Sequence, residues 1–300
     1  MLQKYNPRNE HILIFVKDRL VPRQEAKVSV FDSSVQGGDA VWEGMRVYNE
    51  GIFMLNRHLK RLYESAQAMA FDPLPDLDFI KSSIMLTLKA NEMRKDTHIR
   101  LTLTRGEKIT SGMDPRLNQS GPCLIVLAEW KPPVYDNDRG IKIITSAIRR
   151  NAPNHLDSKI HHNNLINNIL AKIQANVAGV DAALMLDVHG FASELNDTNV
   201  FLIKDDTVYT PHADACLHGI TRGLVIELCH KHDIPVVEKN CSLTEFYGAD
   251  EVFCSGSMGE LTPISEIDGR KIPNINGQML RKLRQLFAET IKNNCEPLDF

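Results

Sequence analysis

Few stretches of this sequence have the residue types that chemistry needs. Gly219-Ile220-Thr221 opens a predicted helix. A helix start leaves backbone N–H groups unpaired beside the positive end of the dipole, which suits a phosphate. Ser255-Gly256-Ser257 follows a predicted strand and offers hydroxyls and close backbone approach. Arg57, next to the candidate helix cap Asn56, adds a fixed positive charge, although it reads equally well as a surface arginine. Each feature is common on its own. The usual phosphate loops, G-x-x-x-x-G-K-[ST] and G-x-G-x-x-G, are absent, and Gly37-Gly38 with Gly44 is too loose to replace them. Ser255-Gly256-Ser257-Met258-Gly259 is out of frame for a G-x-S-x-G nucleophile elbow. Of the eleven histidines, His161-His162 are adjacent and His230 and His232 are two apart. Neither pair faces one site at helical i,i+4 spacing, so no metal centre is expected.

The whole chain bounds these options. Its 300 residues suggest two domains, and 43% apolar with 24% charged residues supports ordinary cores. Lys plus Arg (35) against Asp plus Glu (38) leaves a formal charge of −3, which excludes a general polyanion binder. No basic run or zinc-finger spacing recruits nucleic acid. The N-terminus has no signal-peptide pattern and the longest apolar runs are of strand length, so a cytoplasmic protein without a membrane span is expected. Cys123, Cys216, Cys229, Cys241, Cys254 and Cys295 have no C-x-x-C pairing and read as buried reduced thiols.

The elements that must position the candidates are α+β. Alternation predicts strands at 12–16, 42–48, 97–104 and 123–130, with amphipathic helices at 57–70 and 76–91. The run 131–138, with paired prolines, reads as a linker. The expected division is a smaller domain at 1–130, a linker at 131–139 and a larger α+β domain at 140–300. In the larger domain a helix is predicted over about 159–177, capped by Asp157-Ser158, with Leu165, Ile166, Ile169, Leu170, Ile173 and Val177 as its apolar face. Strands follow at 182–187 and 200–204, then a helix at 219–230, a short helix at 243–247, a strand at 251–254 and a last helix at 279–292.

The C-terminal half carries longer signatures. Lys159 with Asn163, Leu165 and Ala171 is followed by GVDAALMLDVHGFASELNDTNVFLIKDDTVYTP, LHGITRGLVIEL and ADEVFCSGSMGELTPISEIDGR. Upstream stand VFDSSVQGGDAVWEGMRVY and FMLNRHLKRLYESA. The chain resembles the class-IV aminotransferases, the fold-type-IV pyridoxal phosphate enzymes, and is most similar to branched-chain aminotransferases. The resemblance implies a two-domain α+β fold with the active site between the domains, a homodimer and pyridoxal 5′-phosphate as cofactor. Lys159 matches the lysine that holds the cofactor covalently and then shuttles protons. Glu194 matches the acid on the pyridine nitrogen. Arg57, Gly219, Ile220, Thr221, Gly256 and Ser257 match the phosphate cup, with Ser257 where threonine is usual, and Leu217 matches the residue packed on the ring.

The substrate positions depart from the branched-chain pattern. Gly37, His98 and Asn164 stand where that subgroup presents tyrosines, and Trp42 stands for a phenylalanine. Arg46 and Arg100 match its arginines, which pair carboxylates bidentately. Thr104-Arg105-Gly106 resembles D-amino-acid and (R)-amine aminotransferases, and the loop 107–118 is expected to close over the substrate. The implied reaction moves an amino group from a branched or other apolar amino acid to a 2-oxo acid such as 2-oxoglutarate, in a pocket including Trp42, Met45 and Met258. Alternatives are a D-amino-acid or (R)-amine aminotransferase, an enzyme like aminodeoxychorismate lyase, and a cofactor-binding chain without activity.

Overall fold

The computed structural model describes residues 4–300 as two compact units. The N-terminal unit runs to Pro132 and also takes Ile160–Asn164 and Asn294–Phe300; the other comprises Pro133–Lys159 and Leu165–Asn293. The change of unit at Pro132 and Pro133 falls in the expected linker. The excursion at 160–164 and the C-terminal return lie outside any linear division of the chain.

The N-terminal unit holds β1 (Leu13–Val16), β2 (Arg19–Pro22), α1 (Ser33–Gly37), β3 (Ala40–Tyr48), β4 (Gly51–Phe53), α2 (Leu55–Ala68), α3 (Leu77–Ala90), β5 (Thr97–Thr104) and β6 (Cys123–Trp130). The other unit holds β7 (Ile141–Thr145), α4 (Ile166–Val177), β8 (Ala182–Leu186), β9 (Ala192–Leu195), β10 (Asn199–Lys204) and β11 (Thr207–Pro211). It continues with α5 (Ile220–Lys231), β12 (Val236–Lys239), α6 (Leu243–Tyr247), β13 (Glu251–Gly256), β14 (Glu260–Ile267), β15 (Arg270–Lys271) and α7 (Gln278–Asn293). The last strand, β16 (Cys295–Pro297), returns to the first unit. No helix among the described residues is long and apolar enough to cross a membrane.

The first sheet has the order β16-β4-β3-β5-β6-β1-β2. Because β3 and β5 alternate, Val41, Met45, Val47, Ile99, Leu101 and Leu103 all enter one core, packed with Leu59, Leu62, Ile80, Ile84 and Leu88 of α2 and α3. The opposite face carries Trp42 across from Thr102, Gly44 from Arg100 and Arg46 from His98. The second sheet, β12-β11-β10-β13-β14-β7-β8-β9 with β15 beside β14, mixes parallel and antiparallel pairs.

Three local expectations change. Helix α2 starts at Leu55 after Met54, which has a left-handed φ of 51° and no side-chain cap, so Asn56 lies inside the helix rather than capping it. Helix α4 begins at Ile166, leaving Lys159 outside it, because the intervening residues bond to β3 instead. The α4 face also differs: Ile166, Ile169, Leu170, Ile173 and Val177 are exposed, whereas Ala171 and Ala175 are fully buried against Ala183 and Met185. The small residues let the helix approach β8 closely, which the larger ones would prevent. None of the six cysteines forms a disulfide; five are buried and Cys295 is half-buried.

Candidate active site

In the C-terminal unit the site grows around β9, a short strand that periodicity did not reveal. It pairs with β8, with Met185 opposite Glu194. The Glu194 carboxylate is buried and accepts from Arg150 Nε at 2.5 Å, Asn199 Nδ2 at 3.1 Å and the Leu217 N–H at 3.3 Å. Burial raises its pKa, and the Arg150 guanidinium and the Leu217 N–H oppose the rise. Arg150 carried no sequence signal, since a lone arginine after a strand is usually solvated.

Asn199 ties Glu194 to the next loop. Its Nδ2 also donates to the Leu217 carbonyl at 3.0 Å, and Ser193 Oγ donates to the Ala215 carbonyl at 2.7 Å. A Cβ on Gly219 would lie 1.9 Å from Asn199 Oδ1, so only glycine allows this approach. Gly219 then begins α5 without a side-chain cap. The first-turn N–H groups of Ile220 and Thr221 are therefore open to an anion. Ser255 stands opposite Asn199 in the β10–β13 ladder, and a Cβ on Gly256 would meet Thr198 Cγ2 at 2.8 Å. The two glycine-containing turns thus pack against Thr198 and Asn199. Ser257 and Met258 are half-buried in the β13–β14 turn, where the Met258 carbonyl accepts from Val134 N–H at 3.1 Å.

Lys159 is half-buried. Its N–H donates to Asp157 Oδ1 at 3.0 Å, and its Nζ lies 3.4 Å from both Asp157 Oδ1 and the Asp214 carbonyl. The loop from Asp214 to Leu217 therefore has the amine at one end and the Glu194 carboxylate at the other. Cys216 between them, its thiol pushed up to about 12 by burial, feels both charges.

The remaining expected residues belong to the N-terminal unit. Arg57 is exposed in the first turn of α2, and Gly37 is exposed at the end of α1. Arg46 is 5% exposed, and its Nε and Nη1 have no hydrogen-bond partner among the described residues. Neighbouring His98 has a buried Nε2 in the same condition. Burial, with Lys131, Arg46 and Arg100 adding, pushes its pKa down to about 3 and keeps it neutral. Arg100 donates to Asn163 Oδ1 at 3.1 Å and lies 3.4 Å over the Trp42 ring. Burial lowers its pKa to about 10, opposed by Glu43. Arg105 is engaged on every side. Asp39 takes its Nε and Nη2 at 2.7 and 3.1 Å, the carbonyls of Ala70 and Met69 take Nη1 and Nη2, and its Cζ lies 4.3 Å over Phe71. The 107–118 loop is strapped internally, with Lys108 Nζ on the Gly112 carbonyl and Asn118 Nδ2 on the Gly106 carbonyl.

Residues 40–267 match the family described as amino-transferase class IV. The chain belongs to the class-IV aminotransferases. The chain is similar to a branched-chain-amino-acid aminotransferase-like protein 2 of Arabidopsis thaliana, 55% identical over 97% of this chain and 52% of the relative's length. This chain thus spans about half of that relative. A putative branched-chain-amino-acid aminotransferase of Methanocaldococcus jannaschii is 40% identical over 92% of this chain and 95% of its own. Among solved structures, the branched-chain amino acid aminotransferase of Thermobaculum terrenum in its PLP-bound holo-form superimposes with a TM-score of 0.86. It is 25% identical, and the match covers 97% of this chain and 100% of that one. The α+β architecture is that of this family.

Proposed function

We propose that this chain is a pyridoxal-phosphate-dependent transaminase moving an amino group between an amino acid and a 2-oxo acid. The carrying observation is the loop Asp214–Leu217, with the Lys159 amine at one end and the buried, Arg150-paired Glu194 at the other. The residues fit the cofactor. Glu194 has lone-pair capacity for a further donor; Ile220 and Thr221 present open N–H groups beside a glycine that tolerates no side chain. When bound, pyridoxal phosphate supplies an aldehyde for amines and a ring that takes up electrons from the substrate carbon.

The chain's own groups have separate tasks. Lys159 would hold the cofactor and carry a proton on Nζ. Glu194 would hold the pyridine nitrogen, and its partners Arg150, Asn199 and Leu217 stop it from turning away. Leu217 would lie against the ring, while Ile220, Thr221, Gly256, Ser257 and Arg57 would hold the phosphate. For the substrate carboxylate the unpaired donors of Arg46 favour it over Arg105, whose guanidinium is already taken. Trp42, His98, Arg100, Gly37 and Met258 shape the pocket. A branched or other apolar L-amino acid with 2-oxoglutarate is the preferred pair, and a homodimer the preferred assembly.

The test is a donor panel with 2-oxoglutarate or pyruvate, run on the loaded chain and on Lys159→Ala. Transfer from L-branched donors, abolished in the variant along with the visible cofactor band, is expected. Turnover of only D-amino acids or amines would overturn the substrate choice, and pyruvate release without an acceptor would mark a lyase. A variant retaining full rate would remove Lys159 from its role.

A further inference from the structure

Glu43 has no part in the reaction outlined above, yet its placement is costly. It lies on the core side of β3 between Val41 and Met45, is fully buried, and occupies a position where alternation calls for an apolar residue. Arg61 donates to it from Nε and Nη2, both at 2.7 Å, and His58 Nδ1 lies at 2.7 Å. The remaining partner comes from 118 residues along the chain: His161 Nδ1, 3.1 Å from Oε1. Four contacts meet the four lone-pair positions of one carboxylate. Burial alone pushes the Glu43 pKa up, but Arg61 and His161 hold it well below the usual range, so it is ionised. Burial likewise takes His161 down to about 4 against the pull of Glu43, with Arg61 and Arg100 adding to the fall. His161 is therefore neutral at pH 7 and carries its proton on Nδ1, facing the carboxylate.

His161 is the centre of a short, firmly held stretch. Its N–H donates to Ser65 Oγ at 3.0 Å, and its carbonyl accepts from the Trp42 N–H at 2.9 Å. Trp42 Nε1 donates to the His162 carbonyl at 3.1 Å, and the Asn163 N–H to the Ala40 carbonyl at 2.8 Å. The imidazole lies 4.0 Å from the Trp42 ring. Lys159 is two residues earlier, at most about 7 Å away between Cα atoms. An uncharged core would pack β3 against α2 equally well. What the charge adds is a hold on the stretch that follows the lysine.

We propose that Glu43 is a positioning residue for the reaction: through His161 it fixes both the backbone from which Lys159 extends and the indole of Trp42. This rests on the reading of Lys159 as the cofactor lysine. The variants are Glu43→Gln, which keeps the shape and loses the charge, and His161→Phe, which keeps a ring against Trp42 and loses the bond to the carboxylate. Amide hydrogen exchange on the cofactor-free protein is the first readout. Both variants should speed exchange at His161 and Asn163 by about 10-fold while Leu101 and Leu103 of β5 stay protected. In the loaded enzyme kcat should fall by about 100-fold, and Glu43→Asp should recover part of the loss. Unchanged exchange at both amides, an equal rise in β5, or an unchanged kcat would each overturn the proposal. If Lys159→Ala kept the cofactor colour and turnover, the underlying reading would fail instead, and the exchange data would still decide whether Glu43 pins this stretch.

Discussion

Three histidines of the N-terminal unit, the buried His58 and His161 and the half-buried His98, are held neutral chiefly by burial. His58 and His161 share the Glu43 carboxylate, whereas His98 sits among Lys131, Arg46 and Arg100; in all three burial is the largest cause of a lowered pKa, reaching about 4 for His161 and about 3 for His98. A base depressed in the fold binds its proton only on unfolding. Stability is therefore full above about pH 6.5 and falls as pH drops, by about 1.4 kcal/mol per pH unit for each of His98 and His161 down to about pH 4, with His58 acting in the same direction. Urea midpoints between pH 7.5 and 5 should show this decline, and His98→Gln should flatten it by one histidine's share. A second expectation concerns Arg46: Arg46→Met should raise KM for the amino donor about 10-fold or more, since it removes unpaired buried donors, with the fold retained. At this scale the sequence was legible in part. Lys159 and Glu194 stood out through the family signatures, but Arg150, Asn199 and Glu43 serve through partners at distant positions, and spacing carries no trace of such partners.

Elements sort into those whose pattern is local and those defined by neighbours. Strands β5 and β6 and helix α6 have the predicted limits, because alternation, or helical spacing after Ser242, is sufficient there. Strand β9 was invisible: four residues, two of them Ser and Glu, all buried. Helix α4 shows the opposite failure, its larger apolar side chains facing outward and its alanines inward. Ala175→Leu should then cost about 1–3 kcal/mol by overpacking, whereas Val177→Ser, at a position 85% exposed, should stay within about 0.5 kcal/mol. Helix α5 offers a matched pair. Gly219→Ala drives a Cβ into Asn199, whose amide is held by Glu194 and Leu217, and should cost about 1–3 kcal/mol and the retention of cofactor through dialysis. Gly223→Ala, with nothing within 4 Å, should stabilise the same helix by about 0.5–1 kcal/mol. Thermal unfolding and cofactor absorbance check both.

For the whole molecule, the first consequence concerns sufficiency. The chain spans about half of its Arabidopsis thaliana relative but nearly all of the Methanocaldococcus jannaschii one. On the function proposed above, the 300 residues are expected to take up pyridoxal phosphate and transaminate when isolated. Absorbance and a coupled assay on the isolated chain test this, and an inert, colourless product would mean that a further segment is needed. By itself the sequence determined the family and the α+β class, because each is encoded in contiguous patterns of charge, glycine and apolar spacing. Only the tertiary structure decided that Arg105 is consumed by Asp39, that α4 buries its alanines, and that residues 160–164 leave one unit to join β3 of the other. Those outcomes depend on which groups fill each other's hydrogen bonds and volumes across long separations, and that competition is settled only when the chain has folded.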